Sequence, residues 1–131
     1  MRVADIALRL YTTAAEYALS RGLILADTKF EFGLIPSTSN PSKEENILVD
    51  DVLTPDSSRY WPIVEYTPGK PRPGLDKQYV RDWLVAKGYR KELESVPGSN
   101  GEGWDIDLAV IEDAQSKYLE AESILEREPM A

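Results

Sequence analysis

From Val3 to Arg21 the apolar residues Val3, Ile6, Leu10, Ala14 and Tyr17 recur at spacings of three or four, with Ala7, Ala18 and Leu19 widening the stripe. That period predicts an amphipathic helix. Gly22 follows as a C′ residue, where a left-handed backbone ends a helix at little cost. Leu23 to Ala26 is a short apolar run, continued by alternation from Thr28 to Leu34, and the two together predict a strand with a break near Asp27. In an extended chain Asp27, Lys29 and Glu31 share one face, while Phe30 and Phe32 point the other way.

Residues 35–46, "IPSTSNPSKEEN", have the Pro, Ser and Asn content of a surface loop, and Ile47 to Val49 restores an apolar run that predicts a second strand. A hairpin is the economical connection. If its centre lies midway along the loop, Glu31 stands opposite Asp50, and opposed side chains have Cβ atoms about 4.5–5.5 Å apart. Two carboxylates so placed repel unless a cation or solvent lies between them. A loop of this length does not fix the register, and a slip of one residue changes the face. Further on, the Pro- and Gly-rich "PGKPRPG", residues 68–74, predicts a rigid loop before a helix that starts near Asp76 as its N-cap. Tyr79, Val80, Trp83, Leu84 and Lys87 give that helix one apolar face and Gly88 closes it. After a second Gly-rich loop, residues 95–103, Ile111, Ala114, Tyr118, Ala121 and Leu125 predict a last helix ending before Pro129.

With 131 residues, 42% of them apolar, the chain is expected to form a single domain over residues 1–131 with a true core. No apolar run approaches the roughly 18 residues of a membrane span, and "MRVADIALRLY" lacks the parts of a secretory signal. The expectation is a soluble, cytoplasmic protein with no membrane partner. Composition then narrows the chemistry. With no Cys and no His, a thiolate or imidazole zinc site, a Cys nucleophile and a Ser-His-Asp triad are all excluded. Carboxylate, lysine, arginine and hydroxyl chemistry remains, and its hard-cation form is magnesium held by Asp or Glu together with substrate phosphates. A net charge of −8 argues against nonspecific nucleic-acid binding. An anionic substrate would need a metal, a local basic cluster or a second chain.

Taken alone, Asp27, Lys29 and Glu31 are most simply the solvated face of a strand. The stretch "ILVDDVLTPDSSRYWP", residues 47–62, changes the balance, because an apolar strand delivers Asp50 and Asp51 to its end, where loops commonly hold chemistry. Within it Asp56, Ser57, Ser58 and Arg59 suit a phosphate or carboxylate, with Arg59 able to bind bidentately. The same segment equally describes an Asp/Ser turn that satisfies its own backbone. Lys70, Arg72 and Lys77 could add positive charge nearby or stand as a solvated loop and helix start. Trp61, Trp83 and Trp104 read as core or loop anchors.

"LADTKFEFG" and "LVDDVLTPDSSRYWP", followed by "LDKQYVRDWL" and "DAQSKYLEA", closely resemble the C-terminal part of the SAICAR synthetases, the phosphoribosylaminoimidazole-succinocarboxamide synthases of purine biosynthesis. The pattern Asp-x-Lys-x-Glu-Phe-Gly followed by Asp-(Glu or Asp)-x-x-(Thr or Ser)-Pro-Asp-x-Ser-Arg is far more specific than one short motif. Asp51 departs from the Glu usual in the fungal type. The resemblance implies an α+β fold, an antiparallel β-hairpin sheet packed by helices, like the C-terminal lobe of an ATP-grasp-like or kinase-like enzyme. It implies a ligase that joins carboxyaminoimidazole ribonucleotide to L-aspartate with ATP and Mg2+, through an acyl phosphate that the amine attacks. By the same resemblance Glu31 and Asp50 hold the magnesium, Asp27 and Lys29 flank the reacting carboxylate, and Asp56, Ser57, Ser58 and Arg59 bind substrate, with Lys77 a further contact. The N-terminal nucleotide lobe of the family has no counterpart here. The expectation is therefore a chain with little or no ligase activity alone, whose apolar surface is left uncovered. A noncatalytic nucleotide-binding remnant and one half of a split enzyme, completed by a second chain, are the alternatives.

Overall fold

The computed structural model describes residues 2–40, 42–70, 74–88 and 105–130. In chain order it comprises helix α1 (Val3–Leu19), strands β1 (Leu23–Thr28), β2 (Glu31–Pro36), β3 (Glu44–Val49) and β4 (Ser58–Pro62), a 3-10 turn (Ile63–Glu65), and helices α2 (Gln78–Ala86) and α3 (Leu108–Leu125). The α+β class matches the expectation. Among the described residues no helix is long and apolar enough to cross a membrane. The loop 95–103, Arg72 and Trp104 lie outside the described residues.

Asp5 opens α1 by accepting the backbone N–H of Arg2 at 3.2 Å, which satisfies one of the orphan donors of the first turn. The helix stops at Leu19, two residues earlier than the periodicity suggests, and Gly22 at φ 95° reverses the chain into β1. Strand β1 pairs antiparallel with β4: Leu23 faces Pro62, Leu25 faces Tyr60, Asp27 faces Arg59 and Thr28 faces Ser58. Ala26 is an extra residue in that ladder, a bulge. The Tyr11 hydroxyl donates to the Leu25 carbonyl beside it at 2.9 Å. Leu23, Leu25 and Tyr60 thereby share the face that packs on Ala18 of α1 and on Ala121 and Ile124 of α3, with Leu75 completing the core.

The break expected near Asp27 falls at Lys29 and Phe30, and the hairpin is not the whole sheet: β1 and β2 belong to two separate two-stranded sheets, β1-β4 and β2-β3. Ser58 and Arg59, expected in an anion-binding segment or an Asp/Ser turn, instead begin a strand over residues 58–62 in which Ser58, Tyr60 and Pro62 alternate inward. The β2-β3 hairpin itself is as expected, with strands reaching Pro36 and Glu44 and a tighter turn closed by the Ser37 N–H donating to the Lys43 carbonyl at 2.8 Å. Its register is slipped by one: Glu31 faces Val49, not Asp50. The slip sets Phe32 against Leu48, the two half-buried large side chains of the hairpin, a pairing the midpoint register would have lost.

Helix α2 is preceded by Asp76, whose Oδ1 accepts the Gln78 N–H at 2.8 Å, and is followed by Gly88 at φ 99°. Helix α3 buries Val110, Ala121 and Ile124. The stripe foreseen for α3 is not wholly in the core. Ile111, Ala114, Tyr118 and Leu125, with Val80 of α2, line an open apolar cleft of about 820 Å³. Likewise Ile6, Leu10, Ala14 and Tyr17 of α1 line a second of about 600 Å³. The Tyr17 hydroxyl donates to the Leu125 carbonyl at 3.0 Å, tying α1 to α3 where the two clefts meet.

Leu23 is wholly buried at the centre of this arrangement. Leu23→Ala is expected to lower unfolding stability by about 3 kcal/mol in urea denaturation, the usual cost of a buried Leu deletion. Leu8→Ala, at a site 66% exposed, should change it by less than about 0.5 kcal/mol.

Candidate functional site

Two short connections bring the polar residues together. Lys29 and Phe30 alone link β1 to β2, and residues 50–57 link β3 to β4. Because both pairings are antiparallel, the end of β1 lies beside the start of β4 and the start of β2 beside the end of β3. All four strand ends therefore meet at one edge. There Asp27, Lys29, Asp50, Asp51 and residues 56–59 line a polar cleft of about 280 Å³, joined by Asp76, Lys77 and Arg81 from the start of α2. Asp50 leaves the ladder at φ 66°, a left-handed conformation that Asp tolerates better than most residues.

Three of the four cations along this edge, Lys29, Arg59 and Lys77, are already matched by a carboxylate; Arg81 has no carboxylate partner among the described residues. The Lys29 ammonium contacts Glu31 and lies 3.9 Å from Asp50. Arg59 Nη1 lies 3.0 Å from Asp27 Oδ2, across the β1-β4 ladder. Lys77 Nζ lies 3.5 Å from Asp56. The hydrogen bond and charge of Glu31, with the Asp50 and Asp51 charges behind it, hold the Lys29 ammonium above the ordinary lysine range against a small opposing desolvation. These side chains are close to half exposed, and exposed pairs of this kind are worth little in water. They can be exchanged for contacts to a ligand.

The hydroxyls of the 54–58 turn are mostly spent on the fold. The Ser57 N–H donates to Thr54 Oγ1 at 3.2 Å, and the N–H groups of Ser57 and Ser58 reach the Thr54 carbonyl at 3.1 and 2.8 Å. Ser58 Oγ is buried and lies 2.8 Å from Thr28 Oγ1. Asp56 and Arg59 remain as the members of 56–59 whose charged groups meet other chain segments at the cleft. Of the outlying candidates, Lys77 is in the cleft, whereas Lys70 lines a neighbouring one with Trp61 and Tyr66, whose rings stack at 6.0 Å.

Glu31 and Asp50 are not directly opposed, yet both reach the same ammonium, so they face a common point. Among the described residues no group of three or more Asp, Glu, His or Cys is close enough to hold a metal ion. Two carboxylates suit a hard cation whose shell is completed by water and phosphate oxygens, and do not suit an all-protein cage. Asp76 was missed as a site residue. It is buried, its Oδ2 has no hydrogen-bond partner among the described residues, and a Cβ at Gly74 would come within 2.2 Å of that oxygen. Nothing in "GLDKQ" distinguishes it from an ordinary cap. Arg81 was also missed, although its spacing of four from Lys77 puts both on one side of α2.

The larger apolar clefts beside α3 carry no comparable set of charged groups. The charged side chains gather at the polar edge instead.

The SAICAR synthetase family profile matches residues 1–96. The chain is 46% identical over 123 residues to the phosphoribosylaminoimidazole-succinocarboxamide synthase of Chromobacterium violaceum, covering 92% of this chain and 37% of that protein. To the synthase of the same name from Candida albicans it is 44% identical over 120 residues, covering 92% and 36%. It superposes on the SAICAR synthase of Saccharomyces cerevisiae, solved in complex with SAICAR, with a TM-score of 0.71 at 39% identity, over 99% of this chain and 39% of that one. A Pyrococcus horikoshii SAICAR synthetase shares the fold, with a TM-score of 0.58 at 21% identity. The chain thus spans little more than a third of the length of the relatives it matches. Over that third, sequence and backbone agree, and the chain belongs to the SAICAR synthetase family.

Proposed function

We propose that the polar edge is the catalytic face of an ATP-dependent ligase that joins the carboxylate of carboxyaminoimidazole ribonucleotide to the amine of L-aspartate, giving SAICAR, ADP and phosphate. The observation that supports it is the convergence of Glu31 and Asp50 on one point, within the same cleft edge as the Arg59–Asp27 pair. Glu31 and Asp50 would hold Mg2+, which when bound supplies positive charge at the ATP phosphates. Lys29 and Asp27 stand beside the reacting carboxylate: the ammonium offsets the negative charge that grows there as the amine nitrogen attacks the acyl carbon and phosphate departs. Arg59 takes an anionic group of the ribonucleotide in a forked geometry, with Asp56 and the Ser57–Ser58 turn fixing the loop that presents it and Lys77 adding charge at its rim.

In this reading the chain corresponds to the C-terminal lobe of the family enzyme and works in the cytoplasm. Residues from the rest of the family fold, in a nucleotide lobe on the N-terminal side or on a second chain, complete the site. A split arrangement is favoured by the apolar clefts along α1 and α3, which leave Ile111 and Leu119 about half exposed and Leu108 more so. The chain alone would then bind metal and nucleotide weakly and turn over little, so a noncatalytic nucleotide-binding role for it is the second reading.

Two measurements test this. Glu31→Ala and Asp50→Ala should each weaken Mg2+-dependent ADP binding by about tenfold or more in calorimetric titration, roughly 1.4 kcal/mol. Unchanged binding in both variants would remove the metal assignment. Separately, the chain mixed with ATP, Mg2+, L-aspartate and the carboxylated ribonucleotide should release no ADP at enzyme-like rates. A polypeptide carrying the remaining part of the family fold should restore it, and full turnover by the chain alone would overturn the claim of incompleteness.

A further inference from the structure

The point on which Glu31 and Asp50 converge is held by the chain's own Lys29 ammonium. That geometry poses a problem of occupancy. A divalent ion drawn to both carboxylates and an ammonium bound to one and 3.9 Å from the other cannot share the position, since each needs the same oxygen lone pairs and the two charges repel. Asp51, whose charge also acts on Lys29, adds to the pull on either cation.

We propose that Lys29 is an exchangeable counter-ion: a divalent cation entering between Glu31 and Asp50 displaces its ammonium, which then becomes available to an anionic group in the same cleft. The inference rests on the reading of Glu31 and Asp50 as the metal carboxylates and goes beyond it by making cation entry the event that releases Lys29. Three features carry it. The lysine is tethered two residues from Glu31, so once displaced it stays within the cleft it lines. Its side chain is 65% exposed and bound only by screened pairs, so release meets no packing barrier. And of the four cationic side chains in the cleft, Arg59 and Lys77 are matched to Asp27 and Asp56 and Arg81 has no carboxylate partner among the described residues, so release of Lys29 gives an incoming anion a second unmatched positive charge beside Arg81. Cation and anion would therefore favour each other's binding through one side chain, each changing the other's affinity by the same factor.

The test is Mg2+ titration of the 131-residue chain and its variants by calorimetry, with NMR of lysine labelled at Cε and Nζ. Lys29→Met should bind Mg2+ about threefold more tightly than the parent, because the competitor is gone. Lys77→Met, which removes an equal charge from the same cleft but from a different carboxylate, should gain clearly less. The Lys29 ammonium signal should move as Mg2+ is added, with the same midpoint as the heat. Equal gains in the two variants would mean a general field effect and would overturn the exchange, as would a Lys29 signal that stays still while Mg2+ binds. Failure of the underlying metal reading shows separately, as Glu31→Gln and Asp50→Asn binding Mg2+ no worse than the parent.

Discussion

The antiparallel pairing of β1 with β4 is the constraint on which the rest depends. It joins two stretches whose paired residues lie 30 to 39 apart in sequence, puts Leu23, Leu25 and Tyr60 on the core, and in the same act sets Asp27 against Arg59 and Thr28 against Ser58. Core and polar edge are thus two ends of one ladder. Because side chains alternate with a period of two, the buried positions fix which residues are left for the edge, and the bulge at Ala26 shifts that alternation just before the polar end begins. The Tyr60 hydroxyl, donating to the Leu53 carbonyl at 2.7 Å, anchors the 51–57 connection to the same strand that carries Arg59. Burial pushes that phenol's pKa up, so it stays a donor across the ordinary pH range.

Against that frame the polar edge is a set of charges in balance. Lys29, Arg59 and Lys77 each face a carboxylate of the chain itself. Such an edge is not a ready trap for anions, in keeping with a chain that is acidic overall. It is an arrangement whose pairs are weak enough to be traded, and trading one for a ligand contact costs little because both members are already in water. A buried version of the same pairs would be harder to open, since parting a desolvated pair strands a charge.

Much of this was legible in the sequence. The 3.6-residue period located α1, α2 and α3, Gly22 and Gly88 marked their exits, and the Asp-x-Lys-x-Glu and Asp-Asp patterns named residues that do meet at one edge. The hairpin between β2 and β3 was also legible. What escaped were features decided at long range. The register followed from burying Phe32 against Leu48, which a loop midpoint cannot know. Strand β4 hid behind "TPDSSR", whose turn chemistry masked the alternation that begins at Ser58. Asp76 looked like any helix cap, and its burial depends on how Gly74 and Leu75 return over Tyr60, whose carbonyl accepts the Leu75 N–H at 3.0 Å. The apolar stripes of α1 and α3 were legible, but period alone cannot say whether a stripe faces the chain's own interior or an open cleft.

That last ambiguity bears on how the family fold divides. The chain closes its core around Ala18, Leu23, Leu25, Tyr60 and Ile124 without help, so the third of the family sequence that it represents has its own packing centre. Yet Tyr17 and Ile111, both foreseen on the apolar stripes of α1 and α3, stay about half exposed, as does Leu119. A packing centre bordered by large exposed apolar side chains leaves two open clefts along α1 and α3. The polar edge differs in charge: Lys29, Arg59 and Lys77 offset Glu31, Asp27 and Asp56, while the buried Asp76 keeps one oxygen without a hydrogen-bond partner among the described residues.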